Sequence, residues 1–218
     1  TLLLINQPDI GQTLLIISSW IVMIFISGIN ISLLIAVGVI SMVILASTIY
    51  LFPSKFGYIA ARVLSFFDPS KGDNFQSQRA LDAIKQGGLT GQGMGEGVLK
   101  DKVPEAHTDY IIAVVSEEFG FLFVMLIVFL FLFIAYKVFH KIYTEKQEFI
   151  KMSLAGLISL LIFQAFIHLG VNVRLLPTTG MTLPFLSYGG SSLIGSALLA
   201  GIILNFTKTK GKGYDDEK

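Results

Sequence analysis

Residues 110–136 read YIIAVVSEEFGFLFVMLIVFLFLFIAY, and after Glu118 no charged side chain appears until Lys137. A run of about 18 or more apolar residues is long enough to cross the ~30 Å hydrocarbon core as a helix. In lipid every backbone N–H and C=O must be bonded within the protein, which leaves a helix as the simplest answer. Outward from this stretch, four further runs fit the same reading, at roughly 12–28, 31–52, 151–171 and 190–206. The expected fold is therefore all-α, a polytopic transmembrane helical bundle. The composition agrees: 53% of the 218 residues are hydrophobic and 14% charged, against about 25% charged in soluble domains. Mean hydropathy is +0.73. These values exclude a soluble monomer and intrinsic disorder. Sixteen basic and 15 acidic residues leave a net charge of +1, so no global field points to nucleic acid. The absence of cysteine removes thiol nucleophiles, disulfides and Cys-ligated metal.

The first two runs meet at Gly28-Ile29-Asn30, a tight turn that predicts an antiparallel hairpin. In the last run Gly195 and Gly201 predict close helix contact. Between the second and third runs lies a polar segment, 53–109, far longer than an ordinary connection. Within it, FQSQRALDAIKQ (75–86) places Phe75, Ala80, Leu81 and Ile84 at helical spacing, which predicts a short amphipathic helix on the membrane surface. Lysines 137, 141, 146, 208, 210, 212 and 218 cluster in 137–149 and the tail 207–218, whereas the short loop 172–189 holds only Arg174. By the positive-inside rule the lysine-rich side, with its solvated tail, is cytoplasmic, and 53–109 and 172–189 share the outer face. The chain opens on Thr1 with no basic stretch or small-residue cleavage site, so no signal peptide is read and a piece of a longer protein is expected.

Four segments carry candidate chemistry. Gly91-Gln92-Gly93-Met94-Gly95-Glu96-Gly97-Val98-Leu99-Lys100 has neither the GxGxxG nor the GK[ST] pattern of a nucleotide loop. It reads either as a tight turn or as a backbone cradle for phosphate, aided by Lys100 and Lys102. In Pro104-Glu105-Ala106-His107-Thr108-Asp109, Thr108 is placed to cap the third helix with Asp109 in its first turn. The alternative is that Asp109 stands at the water–lipid boundary as a base, with Glu105 and His107 within reach. Glu117 and Glu118 fall about 12–14 Å further along, turned about 80° and 180° from Asp109. They read as buried partners of Gln164, His168 or Arg174, or as one further carboxylate in the same cavity. Arg174 to Ser192 contains Pro177, Pro184 and many hydroxyls. It is either a re-entrant plug or a wall of the Asp109 cavity, with Arg174 as an anion contact. From the residues alone three functions stay open: an enzyme on a phosphate-linked lipid, a transporter or flippase of such a lipid, and a structural membrane subunit that recruits partners. The ionisable groups cluster toward one face, which favours the enzyme over a midplane transport site.

Taken together, Gln7-Pro8-Asp9-Ile10-Gly11, the alternating glycines 91–95, Pro104-Glu105-Ala106-His107-Thr108-Asp109, Glu117-Glu118-x-Gly120 and Leu176-Pro177-Thr178-Thr179-Gly180 running to Ser187-Tyr188-Gly189-Gly190-Ser191-Ser192 resemble the SEDS family (shape, elongation, division and sporulation) over nearly the whole chain. Ala106 resembles the division branch; the elongation branch more often has arginine there. The resemblance implies a protein of about ten spans, of which this is the C-terminal half. It also implies polymerisation of lipid II into peptidoglycan strands during cell division, with inversion at the anomeric carbon. Flipping of lipid II, or a non-catalytic scaffold of the division machinery, are the alternatives. The family's essential aspartate maps to Asp109, here the general base. Glu105, His107, Thr108, Ser187, Tyr188 and Ser191 are the expected substrate contacts. Lys100, Lys102 and Arg174 are candidates for the leaving diphosphate, with a divalent cation, magnesium or manganese, as another source of charge. Arg174 stands where many relatives have glycine, so the resemblance gives it no role. The implied partners are lipid II, a class B penicillin-binding protein acting as transpeptidase, and other division proteins. The implied location is the bacterial cytoplasmic membrane at the septum.

Overall fold

A computed structural model describes residues 9–67, 75–99 and 103–208. All its regular elements among these residues are helices: α1 (Ile10–Ile26), α2 (Ile31–Leu51), α3 (Pro53–Phe67), α4 (Phe75–Gly87), α5 (Ile111–Thr144), α6 (Glu148–Asn172) and α7 (Gly190–Thr207). Four of them, α2, α5, α6 and α7, are long and apolar enough to cross a membrane. Helix α1 is apolar but only 17 residues long, about 26 Å at 1.5 Å per residue. Asp9 caps it, its Oδ1 accepting from Gln12 N at 2.9 Å, and Asn30 caps α2 in the same way through Ser32 N.

Helix α6 is the centre of the bundle. Leu154, Ala155 and Ile158 are fully buried and pack with Ile127, Phe131, Ala135 and Val138 of α5 and with Ile203 of α7. Helix α1 docks on α6 through small residues. Ser19 Oγ lies 2.8 Å from Ser159 Oγ and donates to Gly156 O at 3.1 Å, the kind of close polar contact that joins helices where lipid offers no hydrophobic drive. The expectation for α7 fails: a Cβ at Gly195 or Gly201 would meet nothing within 4 Å, so neither glycine serves a helix contact among the described residues.

The long segment 53–109 holds two helices rather than the one expected. Its second helix, α4, is displaced from the expected role as well. Ala80 and Ala83 are fully buried, with Tyr110, Ala113 and Val114, in a second apolar cluster that also takes in Val103, Ala106, Val171 and Met181. The apolar face of α4 is therefore spent on protein, not on lipid. This cluster fixes the end of the bundle that carries the candidate site, because Tyr110, 2% exposed, anchors the chain next to Asp109.

Helix α5 explains how a 34-residue helix fits a membrane about 30 Å thick. Gly120 breaks it with φ 80° and ψ 175°, a conformation essentially reserved for glycine. Residues 121–144 then form the apolar span, and 111–119 are a separate short helical piece that packs under α4.

A carboxylate in a cavity between two re-entrant walls

The turn 103–110 does not end in the expected cap. The N-cap of α5 is Tyr110, with no side-chain cap bond, and Thr108 Oγ1 instead donates to Glu105 O and to Glu105 Oε2, the latter at 2.9 Å. Glu105, with φ 56°, turns the chain so that its carbonyl accepts from the backbone N–H groups of Thr108, Asp109 and Tyr110. Asp109 is thus held before the helix, and its carboxyl is free of helix-capping duty.

The segment 177–189 forms the opposite wall. Ser187 Oγ donates to Thr108 O at 2.6 Å and accepts from Leu183 N at 2.8 Å, and Tyr188 N donates to His107 O at 2.9 Å. Three side chains spaced four apart on α6 pin both walls. Gln164 Nε2 donates to Thr182 O (2.9 Å), His168 Nδ1 to Met181 O (2.7 Å), and Asn172 Nδ2 to Asp109 O (3.1 Å). Because a carbonyl only accepts, the His168 proton sits on Nδ1. The loops 53–109 and 172–189 therefore meet at one end of the bundle.

Between the walls lies a cavity of about 130 Å³ lined by Arg62, Gln76, Asp109, Tyr110, Thr178 and Gly180, among others. Gly180 adopts φ 69°, and a Cβ there would stand 3.6 Å from Asp109 Oδ2. Burial raises the pKa of Asp109, and the charge of Glu105 raises it further. The neighbouring Tyr110 hydroxyl is pushed up to about 12 by burial and by Asp109. Asp109 and Arg62 share this cavity, yet neither is in an ion pair among the described residues. The only bond of Arg62 there is a long one, Nη1 to Thr178 O at 3.4 Å. Sequence reading missed Arg62. The signal was a single arginine in the largely apolar α3, but nothing local linked it to Asp109.

The other expected site residues take different places. Arg174 donates to Gln78 Oε1 at 2.6 Å and borders, with Arg62, a small adjoining cavity of about 10 Å³. Its φ of 58° lies in the left-handed region that favours glycine. Glu105, His107 and the Tyr188 ring are exposed, while Ser187 is buried between the walls. Ser191 lines a second cavity, of about 400 Å³, which adjoins the first at Gly180. Lys100 and Lys102 lie outside the described residues, as do Gln7 and Pro8 of the N-terminal motif.

The glycine-rich loop is not an open phosphate cradle. Gln92 N and Gly93 N donate to the carbonyls of Glu117 and Glu118. Leu99 N donates to Glu117 Oε1 at 2.8 Å, and Gly95 N to Glu118 Oε1 at 3.2 Å. Glu117, fully buried, and Glu118 are thus wrapped by the loop's amides. Neither of them lines the Asp109 cavity, and Gln164, His168 and Arg174 bond elsewhere. Among the described residues no three His, Asp or Glu side chains converge on one point. Asp109 alone among the described carboxylates lines the cavity, Glu105 being exposed and bonded to Thr108, so a divalent cation would have one protein carboxylate to bind here.

The family model described as FTSW_RODA_SPOVE, cell cycle protein, matches residues 1–212. A probable peptidoglycan glycosyltransferase FtsW of Caulobacter vibrioides is 39% identical over 212 residues, covering 97% of this chain and 53% of that protein. One of Haemophilus influenzae is 38% identical, covering 92% and 52%. A solved structure described as "Structural coordination of polymerization and crosslinking by a peptidoglycan synthase complex" matches with a TM-score of 0.69 and 28% identity, over 94% of this chain and 56% of that one. The chain spans about half the length of the curated relatives it matches. With helices able to cross a membrane, the SEDS motifs in order and a family match over nearly its whole length, this is a multi-pass membrane chain that belongs to the FTSW_RODA_SPOVE (SEDS) family of cell cycle proteins.

Proposed function

We propose that this chain carries the catalytic half of a peptidoglycan glycosyltransferase that polymerises lipid II. The carrying observation is Asp109: a carboxyl with a raised pKa, in a cavity also lined by Arg62, whose guanidinium has no ion pair among the described residues. Two opposite charges that line one cavity without pairing to each other leave room for a substrate between them. In the reaction, the 4-hydroxyl of one lipid-linked disaccharide attacks the anomeric carbon of another. Asp109 Oδ takes the hydroxyl proton, the new C–O bond forms as the C–O bond to diphosphate breaks, and the configuration inverts. A base whose pKa is lifted toward the working pH is the better proton acceptor. Arg62 meets the negative charge that develops on the leaving undecaprenyl diphosphate, and a divalent cation at the cavity would supply further positive charge. Loops 53–109 and 172–189 then face the outer side of the cytoplasmic membrane, where lipid II is used, and the lysine-rich tail faces the cytoplasm. The partner is a class B penicillin-binding protein that crosslinks the strands, and the site of action is the division septum, with other division proteins.

The flippase reading is weaker, because Glu117 and Glu118, the carboxylates nearest the span, are spent on loop amides rather than set along a path. The test uses the full-length protein with its transpeptidase partner in detergent, where a flippase has no sides to connect. Labelled lipid II should yield glycan strands with wild type and none with Asp109→Asn. Strands from both would move the base elsewhere. Strands from neither, beside an active partner, would turn the reading to flipping or scaffolding.

A further inference from the structure

The cavity of about 400 Å³ beyond Gly180 is lined by Gln12 of α1, Gln164 of α6, Thr182, and Ser191, Ser192 and Ser196 of α7. No charged side chain borders it among the described residues. Thr182, Gln164 and Ser192 are bonded to one another or to the wall, with Thr182 Oγ1 2.7 Å from Ser192 Oγ. The side-chain polar atoms of Gln12, Ser191 and Ser196 bond nothing among the described residues. Ser191 is exposed and Gln12 half-buried at the rim of this cavity, while Ser196 is buried at its wall, so their amide and hydroxyl groups are open to a polar ligand that enters it. A diphosphate would call for cations, which lie on the Asp109 side at Arg62. An uncharged polyol would call for what is here: neutral donors and acceptors, with leucine and glycine walls for the C–H faces of a sugar ring. The volume falls within the ~300–1,000 Å³ typical of small-ligand sites.

We infer that this cavity is a subsite for the uncharged sugar of the substrate, separated from the diphosphate side by Gly180. The inference rests on the polymerase reading above and names which part of the substrate goes where. Gly180 is then the passage between sugar and base, and its lack of a Cβ keeps that passage open beside Asp109 Oδ2.

The experiment measures binding, so that it stands apart from activity. Full-length wild type, Gln12→Leu, Ser191→Val and Ser191→Ala, each confirmed folded by thermal melting, are titrated in detergent with lipid II and with undecaprenyl diphosphate, which lacks the sugar. Wild type should prefer lipid II. Loss of one neutral hydrogen bond is worth about 1 kcal/mol, and a 1.4 kcal/mol change is tenfold, so each variant should weaken lipid II binding by about five- to tenfold. Affinity for undecaprenyl diphosphate should stay within about twofold. A wild type without preference, variants that keep the wild-type preference, or variants that lose both ligands equally would each overturn the subsite. Strand synthesis by wild type, assayed in parallel, decides the polymerase reading separately.

Discussion

Asp109 and Glu117 are carboxylates at the same end of the bundle, eight residues apart, and they are treated in opposite ways. Glu117 is fully buried and accepts the N–H of Leu99, while the loop from Gly91 closes over it. Asp109 is half-buried, has no ion pair among the described residues and opens to a cavity. Burial without a donor raises a carboxyl pKa, as it does at Asp109. The difference teaches that the glycine-rich loop is structural: its amides are consumed by the protein's own acids. The acid left without such donors is the one available for chemistry.

The sharpest way to break the comparison is to neutralise each acid. Asp109→Asn should cut strand synthesis by at least about 100-fold, the usual worth of a general base, without lowering the melting temperature. Glu117→Gln should leave synthesis within a few-fold and lower stability by about 1 kcal/mol, through disturbance of the hydrogen bond accepted from Leu99 N. Loss of synthesis in a folded Glu117→Gln protein would end the division of labour. Next in size, Arg62→Ala should lower kcat by about 100-fold, comparable to removing one electrostatic stabiliser of a transition state. Arg62→Lys should recover part of it, since the charge remains but the fork of donors does not. A change in KM alone would make Arg62 a binding group only.

Gly120→Ala tests the structural side. Its backbone conformation is strained for any residue with a Cβ, and the added atom would meet the backbone of Leu89–Gly91. A cost of about 1–3 kcal/mol is expected, read as a fall in melting temperature.

The pH dependence follows from Asp109. As a base it must be deprotonated, so kcat should rise with pH through a midpoint above the ordinary 3.8 and then level off. The folded state holds this proton more tightly than the unfolded chain. Its contribution to stability is therefore full below the unfolded pKa and is lost as pH rises through the folded one. Asp109→Asn removes that loss, so at neutral pH it should melt no lower than wild type, and melting curves across pH 3–8 check the sign. The smallest effect is Arg174→Gly. It relieves a left-handed backbone but gives up the bond to Gln78, and the net change in unfolding free energy should stay within about 1 kcal/mol.

The helices α2, α5, α6 and α7 were legible because hydropathy is a sum over neighbouring residues, and lipid allows few other conformations for such sums. Asp109 was legible as a residue type in a motif, and the α4 helix as a period. The partner of each polar group was not legible. Thr108 has the right chemistry to cap α5 and bonds Glu105 instead. The amphipathic face of α4 has the right pattern for a membrane surface and packs on Tyr110 and Ala113. Arg62 reaches the Asp109 cavity from 47 residues upstream, through the placement of α3 against Thr178. Sequence by itself determined which segments enter the membrane and which acid to watch. Only the tertiary structure decided which donors meet which acceptors, because a hydrogen bond goes to the best-placed partner in space, and distance along the chain carries no information about that.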